Sequence, residues 1–351
     1  MAKKSGNRKT VNNKTVNSNM DDSKKIINPS NVGNIKFNIK FNDNDYEDFI
    51  TSCRTGNECV VETYLKNGFD VNYIRAGEHH SPLHIAVCYK KINIVKLLLK
   101  YGAIVDIKSS SGFTPFYVAC YHSAVDIAKV LLEHGANLHV TYDLDLDNTP
   151  LHLACSNCCV DLVRLLLENG ADANATNRYR TTPFRSVFRD NRYVNKYVDV
   201  IKLLLKHGAN VHAVDDRGCT PLFYACEHMR FNKKAIEILI KHGANVHAIN
   251  NAGQTPIMFA CYSNNFIAVQ TLLQYGADIN SVDSDGNSLL HHACECDNLR
   301  MANILLKHNA NPNTINNKGE SPLYCACLNS DICSSIYMVD LLLAHGANVE
   351  K

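Results

Sequence analysis

The sequence predicts an all-α solenoid of about nine helix-turn-helix units, preceded by a disordered N-terminal tail. Three observations lead to this fold class. A Thr/Ser-Pro step or a near variant recurs every 33 to 38 residues, a Gly-Ala step keeps the same period, and an apolar stripe at helical spacing precedes these glycines. One such helix pair cannot bury its apolar face alone, so neighbouring pairs must stack into a continuous core.

The first helix of each unit begins at the Thr/Ser-Pro step. Thr149 is a natural N-cap for the fourth unit, and Pro150 suits the first helical position, where its missing N–H would be unpaired anyway. The short helix 151–155 that follows contains small residues, which let a neighbouring helix approach closely. The step or its variant occurs at Ser81, Thr114, Thr149, Thr182, Thr220, Thr255, Ser288 and Ser321.

The second helix of each unit carries an apolar stripe and ends at a glycine. In the fourth unit, Leu162, Leu165 and Leu166 share one helix face. Gly170 then supplies the left-handed residue that ends the helix. Asn309 takes that position in the eighth unit, since asparagine tolerates the same conformation.

Two segments of the fourth unit resemble a known family. Thr149-Pro150-Leu151-His152-Leu153-Ala154 and Leu165-Leu166-Leu167-Glu168-Asn169-Gly170-Ala171-Asp172 are similar to the ankyrin repeat, and the period agrees. The resemblance implies an ankyrin-repeat solenoid with projecting hairpin loops, in which the motif histidines His84, His152 and His291 act as neutral hydrogen-bonding struts. The predicted repeat domain, 43–351, divides into repeats 43–74, 75–108, 109–141, 142–176, 177–214, 215–249, 250–282, 283–315 and 316–351.

Departures from the family's pattern are local. The first repeat lacks the Thr-Pro motif, which suits an N-terminal cap whose outer face meets water. Leu289 replaces the motif proline in the eighth repeat, and Arg185 replaces the motif histidine in the fifth. Residues 189–197 are an insertion between the two helices of the fifth repeat, and such insertions are either neutral or part of a functional face.

Residues 1–42 form the predicted disordered tail, which is basic and rich in asparagine. Within it, residues 1–40 contain nine Lys/Arg and two Asp. This composition fits either a solvated leader or a tail for nuclear import or phosphate binding. Residues 35–41 alternate between apolar and polar, which predicts a short strand or extended arm beside the first repeat.

The overall composition is that of an ordinary globular protein. Hydrophobic residues make up 46% and charged residues 20%, which excludes global disorder, and the net charge of +2 argues neither for nor against nucleic acid. Residues 1–30 hold no apolar run like a signal sequence, and we expect no membrane span. The 15 cysteines are therefore predicted to stay reduced in the cytoplasm, with the nucleus as an alternative. The Asn- and Lys-rich style is similar to ankyrin proteins of giant viruses and intracellular bacteria, for which the compartment is the host cytoplasm.

No group of residues indicates catalysis, a cofactor or a metal. The chain has neither a Gly-rich phosphate loop nor a Gly-x-Ser-x-Gly elbow. The segments 155–159 and 291–296 are rich in Cys and His, but zinc needs four converging ligands, and His291 and Cys294 occupy core positions of the repeat. A small buried residue is needed after the alanine of the first helix, which favours packing for Cys120, Cys155, Cys226, Cys261, Cys294 and Cys327.

The resemblance implies that partners bind at a concave wall, which the hairpin tips and the exposed side of the first helices form together. Aromatic residues and arginine carry most of the energy at protein interfaces. The candidate partner-binding residues at these positions are Tyr89, Phe113, Tyr121, His122, Arg178, Tyr179, Arg180, Arg189, Arg217 and Tyr262.

Arginine is concentrated in the fifth repeat. Arg185, Arg189 and Arg192 would share one helix face if the first helix ran that far. Their planar guanidinium groups suit recognition of a carboxylate or a phosphate. An intramolecular role is equally open, because aspartates flank the repeat on both sides. Those aspartates are Asp143, Asp145, Asp147, Asp215 and Asp216.

These features predict a non-enzymatic scaffold that binds a protein partner through the concave surface. One alternative is a substrate adaptor for a ubiquitin ligase or other host machinery. Another is a nucleic-acid-associated protein that uses the basic tail and the fifth repeat, which the dilute charge of the tail disfavours. The last repeat ends in an apolar second helix, so we expect a face that includes Met338 and Leu342 to be covered by a partner or a second copy, or else a frayed final repeat.

Overall fold

The computed structural model describes residues 41–141, 146–189, 196–227, 233–328 and 332–349. Phe41–Lys351 forms one compact unit. Throughout the described residues, the regular structure is helical apart from an isolated antiparallel bridge between Val282 and Ser288. The predicted tail lies outside the described residues except for positions 41 and 42, and Phe41, the one described residue of the predicted strand, is not in a strand.

Eighteen helices follow one another as nine pairs in the described part of the chain. The first helices of the pairs are α1 (Asp43–Thr55), α3 (Pro82–Cys88), α5 (Pro115–Tyr121), α7 (Pro150–Ser156), α9 (Pro183–Ser186), α11 (Pro221–Glu227), α13 (Pro256–Tyr262), α15 (Leu289–Glu295) and α17 (Pro322–Leu328). The second helices are α2 (Glu58–Lys66), α4 (Ile92–Lys100), α6 (Val125–Glu133), α8 (Val160–Glu168), α10 (Tyr197–Lys206), α12 (Lys233–Lys241), α14 (Phe266–Gln274), α16 (Leu299–Lys307) and α18 (Ile332–Ala344). This architecture confirms the predicted all-α solenoid.

The first helices begin where the sequence predicts. Ser81 and Thr149 have extended backbone, and each hydroxyl accepts a hydrogen bond of 3.4 Å from the N–H three residues further on. Pro150 occupies the first position of α7. In the first repeat, which lacks the Thr-Pro motif, the side chain of Asn42 caps α1 instead.

The second helices end at residues with positive φ, as predicted. Gly170 follows α8 with φ at +90°, and Asn309 follows α16 with φ at +65°. Leu162 and Leu166 are fully buried, whereas Leu165 is half-buried against the core. The other buried side chains of α8 are those of Val163 and Leu167. The buried stripe of α8 is therefore wider than the sequence pattern indicates.

The helix pairs stack in series. Each first helix packs against the first helix of the next repeat, from α1 to α17. The second helices from α2 to α14 pack in the same manner, and α16 packs against α18. The buried apolar side chains form one continuous core along the array. Each repeat is thus stabilised by its neighbours, as a helix pair that cannot bury its own apolar face requires.

The loops between repeats form hairpins that are hydrogen-bonded to one another. A backbone N–H at the tip of one hairpin donates to a carbonyl of the preceding hairpin. The described pairs are Ser110 to His79, Arg178 to Leu146, Asp216 to Tyr179, Asn251 to Arg217 and Asn317 to Asp285, at 2.9–3.2 Å. These bonds join five pairs of neighbouring hairpins, and the row of hairpins forms a wall beside the first helices.

Each of the later hairpins is shaped by one Asn or Asp side chain. Its Oδ1 accepts hydrogen bonds from the backbone N–H groups two and four residues further on, as in an Asx turn. The residues are Asn177, Asp215, Asn250, Asp283 and Asn316. Because these bonds fix the turn, the side chains at the hairpin tip project from a defined backbone.

The predicted arginine face of the fifth repeat is wrong in one respect. Helix α9 ends at Ser186, so Arg185 and Arg189 do not share a helix face, and Arg192 lies outside the described residues. After Ser186 the backbone bonds span three residues, and the consecutive side chains of Val187 and Phe188 are both buried. Bonds of this shorter span are those of a 3₁₀ turn, which replaces the α-helix after Ser186.

The predicted face of the last repeat is also wrong in its residues. Met338 and Leu342 of α18 are fully buried instead of exposed. They occupy the positions that Met301 and Leu305 hold in α16, and these positions point into the core of their own repeat pair. Cys327, predicted to be buried, is exposed, whereas Cys294 at the same position of the preceding repeat is buried.

Candidate partner-binding surface

The motif histidines connect neighbouring repeats. The Ser81 N–H donates to Nδ1 of His84 at 3.3 Å, so the proton of the neutral ring is on Nε2, which donates to the Phe113 carbonyl at 2.8 Å. His152 and His291 make the same contacts with the carbonyls 29 residues further on, at 2.9 and 3.0 Å. Burial lowers the pKa of His84 to about 4, so the ring is neutral. These histidines are structural, as the family resemblance implies.

Three predicted residues meet in a groove between the second and third repeats. Tyr121 is 61% exposed at the end of α5, His122 follows it with their rings edge to face, and Phe113 stacks on buried Tyr117 at 5.5 Å. The groove has a volume of about 390 Å³ and is lined by His80, Cys88, Phe113, Tyr117, Val118, Tyr121 and His122. We call it the aromatic groove. Its mostly apolar lining suits an apolar side chain of a partner.

Tyr89 lies outside the aromatic groove. It is the residue after α3, half its side chain is exposed, and the Arg54 guanidinium lies 5.4 Å from its ring centroid. This cation–π contact orients the ring without covering it.

Three other predicted residues meet in a pocket between the fifth and sixth repeats. Its volume is about 300 Å³, and its lining includes Tyr179, Thr181, Arg185, Arg189, Asp215 and Arg217. We call it the arginine pocket. Tyr179 and Arg189 are exposed at its border, whereas Arg185 is half-buried. Tyr179, Arg189 and Arg217 were predicted from the sequence; Thr181 and Asp215, both buried, add polar groups to the pocket.

Arg178 and Arg180 do not line the arginine pocket. Arg178 Nε lies 3.2 Å from Oδ2 of Asp147, which realises one of the predicted intramolecular pairs. Asp143 and Asp145 lie outside the described residues. Arg180 has φ at +57° and takes the position at which most other hairpins have glycine. Its side chain is exposed at the tip of the hairpin wall.

A buried network that sequence reasoning missed supports the arginine pocket. The Tyr224 hydroxyl donates to Oδ2 of Asp215 and accepts a hydrogen bond of 3.0 Å from Nη2 of Arg217. The Arg185 guanidinium lies over the same ring, 4.4 Å from its centroid. Burial, followed by the bond to Asp215, raises the pKa of Tyr224 to about 12, so the hydroxyl keeps its proton. Arg185, Arg217 and Asp215 each carried a signal in the sequence, whereas Tyr224, which joins them, carried none.

Tyr262 is the last predicted residue, and it contacts the eighth repeat. Its hydroxyl lies 2.8 Å from Nε2 of His292, and the two rings meet edge to face at 4.4 Å. The same Nε2 lies 3.1 Å from Oδ2 of Asp283. Tyr262 is therefore held in place separately from the other two clusters.

The described residues include potential metal ligands and cysteine thiols. No group of three or more His, Cys, Asp or Glu side chains that could hold a metal ion occurs in the described ranges. Burial raises the pKa of the Cys120, Cys155 and Cys226 thiols far above their usual range, which fits packing and not nucleophilic chemistry. None of the described helices is long and apolar enough to cross a membrane.

The fold and this surface define a class of protein: an α-helical repeat array whose hairpins and first helices expose aromatic and arginine side chains. Models of the ankyrin repeat family match residues 49–142, 192–283 and 268–351, and a single ankyrin repeat matches residues 146–178. The chain therefore belongs to the ankyrin repeat family.

Solved structures agree with this assignment. A total of 584 solved chains match. One is the crystal structure of the ankyrin repeat domain of Bcl-3, described as a unique member of the IkappaB protein family. It is 25% identical with a TM-score of 0.54, and the match covers 67% of this chain and 100% of that one. No match was found among curated proteins.

Proposed function

We propose that this chain is a non-enzymatic scaffold in the cytoplasm that binds a segment of a partner protein along the hairpin wall and the first helices. The observation that carries the proposal is the pair of clusters on this surface. The aromatic groove and the arginine pocket expose the residue types that dominate protein interfaces. Tyr121 and Arg189 contribute exposed side chains that the core does not use.

Ankyrin repeats are generally modules for protein–protein interaction, which supports the same class of function. The two clusters differ in chemistry, since one is mostly apolar and the other is rich in arginine. A partner that fills both gains affinity from two anchors, and specificity because each anchor rejects the wrong side chain.

The test is affinity purification from the native cell. The wild type is compared with a Tyr121→Ala, Arg189→Ala double variant, which removes one side chain from each cluster. The matched control is a Tyr275→Ala, Arg164→Ala double variant, which removes the same residue types from exposed positions on the second helices or just after them. We expect the first variant to lose a partner that the wild type and the control retain, since truncation at a hot spot costs about 2 kcal/mol or more.

Three other outcomes decide between functions. Equal recovery of all partners by the three proteins would contradict the proposed surface. Recovery of a ubiquitin ligase subunit with the wild type would favour the adaptor alternative. Recovery of nucleic acid that falls steeply with salt would favour the nucleic-acid alternative, in which the basic tail and the fifth repeat bind phosphates and the nucleus is the working compartment.

A second candidate function, self-association through the last repeat, is supported by comparing equivalent positions. Leu306 and His291 are buried by the repeat that follows them, at 4% and 0% exposed. Their equivalents Leu343 and Tyr324 are 40% and 48% exposed. We call this the terminal face, and it also includes exposed Cys327. Its test is given at the end of the Discussion.

A further inference from the structure

We infer that the arginine pocket binds an oxyanionic side chain of the partner, a carboxylate or a phosphate ester. This inference rests on the proposed protein-binding function and specifies which chemistry one of its two anchors recognises. It is drawn from the hydrogen bonds and ion pairs of the arginines in the pocket and of the acids around them.

The arginines of the pocket have unused donors. Nε of Arg185 is buried and has no hydrogen-bond acceptor among the described residues. Arg189 is exposed and makes no ion pair within the described part of the chain. A guanidinium presents five N–H donors in a fixed plane, which matches the two oxygens of a carboxylate or a phosphate. Two such groups border one pocket of about 300 Å³, large enough for a single acidic side chain.

Asp215, the buried acid of the pocket, is already engaged. Oδ1 of Asp215 accepts the backbone N–H groups of Arg217 and Cys219 at 3.0 and 2.9 Å, and Oδ2 accepts the Tyr224 hydroxyl. Asp147 is paired with Arg178 outside the pocket. Asp216, the other acid of the lining, is exposed and makes no ion pair with Arg185 or Arg189 among the described residues, so the donors of these arginines are left to a ligand.

The pocket is particular to the fifth repeat. At the position of Arg185 the other described repeats with this motif have a histidine or an uncharged side chain, such as Tyr117, Phe223 and Met258. A nucleic-acid backbone would need a row of cationic positions along the array. One pocket with Asp215 and Asp216 in its lining would repel the neighbouring phosphates of a polymer. A single oxyanion on a protein segment fits this arrangement.

The inference is tested by titrating the full chain with phenyl phosphate, glutarate, phenol and glutaramide. The readout is NMR of the arginine Nε–Hε signals, assigned with the Arg185→Lys and Arg189→Gln variants. We expect the two anions, and not their neutral analogues, to shift the Arg185 and Arg189 signals in a saturable manner. Arg189→Gln should weaken anion binding at least tenfold, and so should Arg185→Lys, which keeps the charge but loses the planar fork.

The control variant is Arg164→Gln, which removes an exposed arginine from α8 and should leave anion binding unchanged. Tighter binding of phenyl phosphate would identify a phosphorylated side chain, and tighter binding of glutarate an unmodified acidic one; either supports the inference. Absence of saturation, or equal weakening by Arg164→Gln, would overturn it. So would a single-stranded oligonucleotide that displaces phenyl phosphate and binds far more tightly.

The result is separable from that of the proposed function. If the anions do not bind but the Tyr121→Ala, Arg189→Ala variant still loses its partner, the surface assignment stands and the oxyanion inference falls. If the anions bind while that variant keeps every partner, the pocket is an anion site and its assignment to a protein partner falls.

Discussion

The third residue of the first helix is an internal strut in the second repeat and lies at the proposed binding surface in the fifth. His84 bridges two repeats through both ring nitrogens, whereas Arg185 reaches over the ring of Tyr224. Both residues are half or fully buried, but the ring N–H of His84 has an acceptor in the next repeat, whereas Nε of Arg185 has none among the described residues. Replacing histidine by arginine at this motif position thus exchanges an internal hydrogen-bonding strut for a guanidinium whose Nε has no hydrogen-bond acceptor among the described residues.

The neutral state of His84 makes stability depend on pH. The histidine pKa is about 6.5 in the unfolded chain and about 4 in the folded one. Between these values the unfolded state binds a proton that the folded state does not, so the free energy of unfolding falls as pH falls from 6.5 to 4. The difference between the two pKa values corresponds to about 3 kcal/mol of stability, and this contribution is fully present above pH 6.5. Urea unfolding followed by circular dichroism at pH 7.5, 5.5 and 4.5 measures it.

Two variants isolate the contribution of His84. His84→Met, which places a residue found at this position in the seventh repeat, should flatten the pH dependence. Removing the exposed His247 by His247→Gln should leave the pH dependence unchanged. A wild-type midpoint that does not fall between pH 6.5 and 4, or an unaltered slope in His84→Met, would contradict the burial of a neutral ring.

At the scale of the element, the hairpin wall depends on a close approach between neighbouring tips. Gly253 has φ at +73°, and a Cβ there would lie 2.8 Å from the backbone nitrogen of Ser284 in the next hairpin. Gly276 has φ at +83°, but a Cβ there would meet nothing within 4 Å. The two glycines therefore share the strained backbone conformation and differ in steric contact.

Gly253 at a hairpin tip and Gly276 after α14 give a matched pair of variants that tests how closely neighbouring hairpins approach. Gly276→Ala should lower the free energy of unfolding by about 1–2 kcal/mol, because alanine disfavours positive φ. Gly253→Ala should cost about 1–3 kcal/mol more, because the Ser284 backbone must move as well. Urea denaturation of the two variants and the wild type provides the measurement. Equal losses would mean that neighbouring hairpin tips yield freely and that the wall is not rigid.

Helix ends were predictable because their chemistry is local. A Thr-Pro step and a left-handed glycine act within a few residues, so α7 and α8 begin and end close to where the sequence indicates. The early end of α9 was not predictable, because no proline or glycine marks it: Ser186 is followed by Val187, Phe188 and Arg189. The sequence placed Arg189 at a binding surface but did not indicate Tyr224 beneath Arg185, because that contact joins two different repeats.

At the scale of the whole molecule, stacking makes a position's exposure depend on whether another repeat follows. Periodicity indicates that a residue such as Leu342 is apolar and helical, but not which neighbour it faces. In the structure Leu342 faces the repeats before it, and Leu343, the next residue, faces outward. One position along a helix turns the side chain by about a quarter of a turn, which is the difference between the predicted and the observed terminal face.

The terminal face leads to a prediction about association. Apolar surface gains roughly 25 cal/mol per Å² when it is removed from water, so an uncovered stacking face favours contact with a second copy. We expect the average mass of the wild type, measured by light scattering, to rise with protein concentration. A Leu343→Lys, Tyr324→Lys double variant should abolish this rise and keep the fold, because both positions are partly exposed. Ile267→Lys, at a half-exposed position on α14, is the matched control and should associate like the wild type.

A further variant separates this contact from fraying of the last repeat. Met338→Lys places a charge at a fully buried position and should unfold α17 and α18, at a cost of several kcal/mol. Hydrogen exchange would then show loss of protection in both helices, spreading into α16 because repeats stabilise their neighbours. In Leu343→Lys, Tyr324→Lys the same amides should stay protected. A wild type that remains monomeric at every concentration, with α18 unprotected from exchange, would mean that the last repeat is frayed and that no second copy covers it.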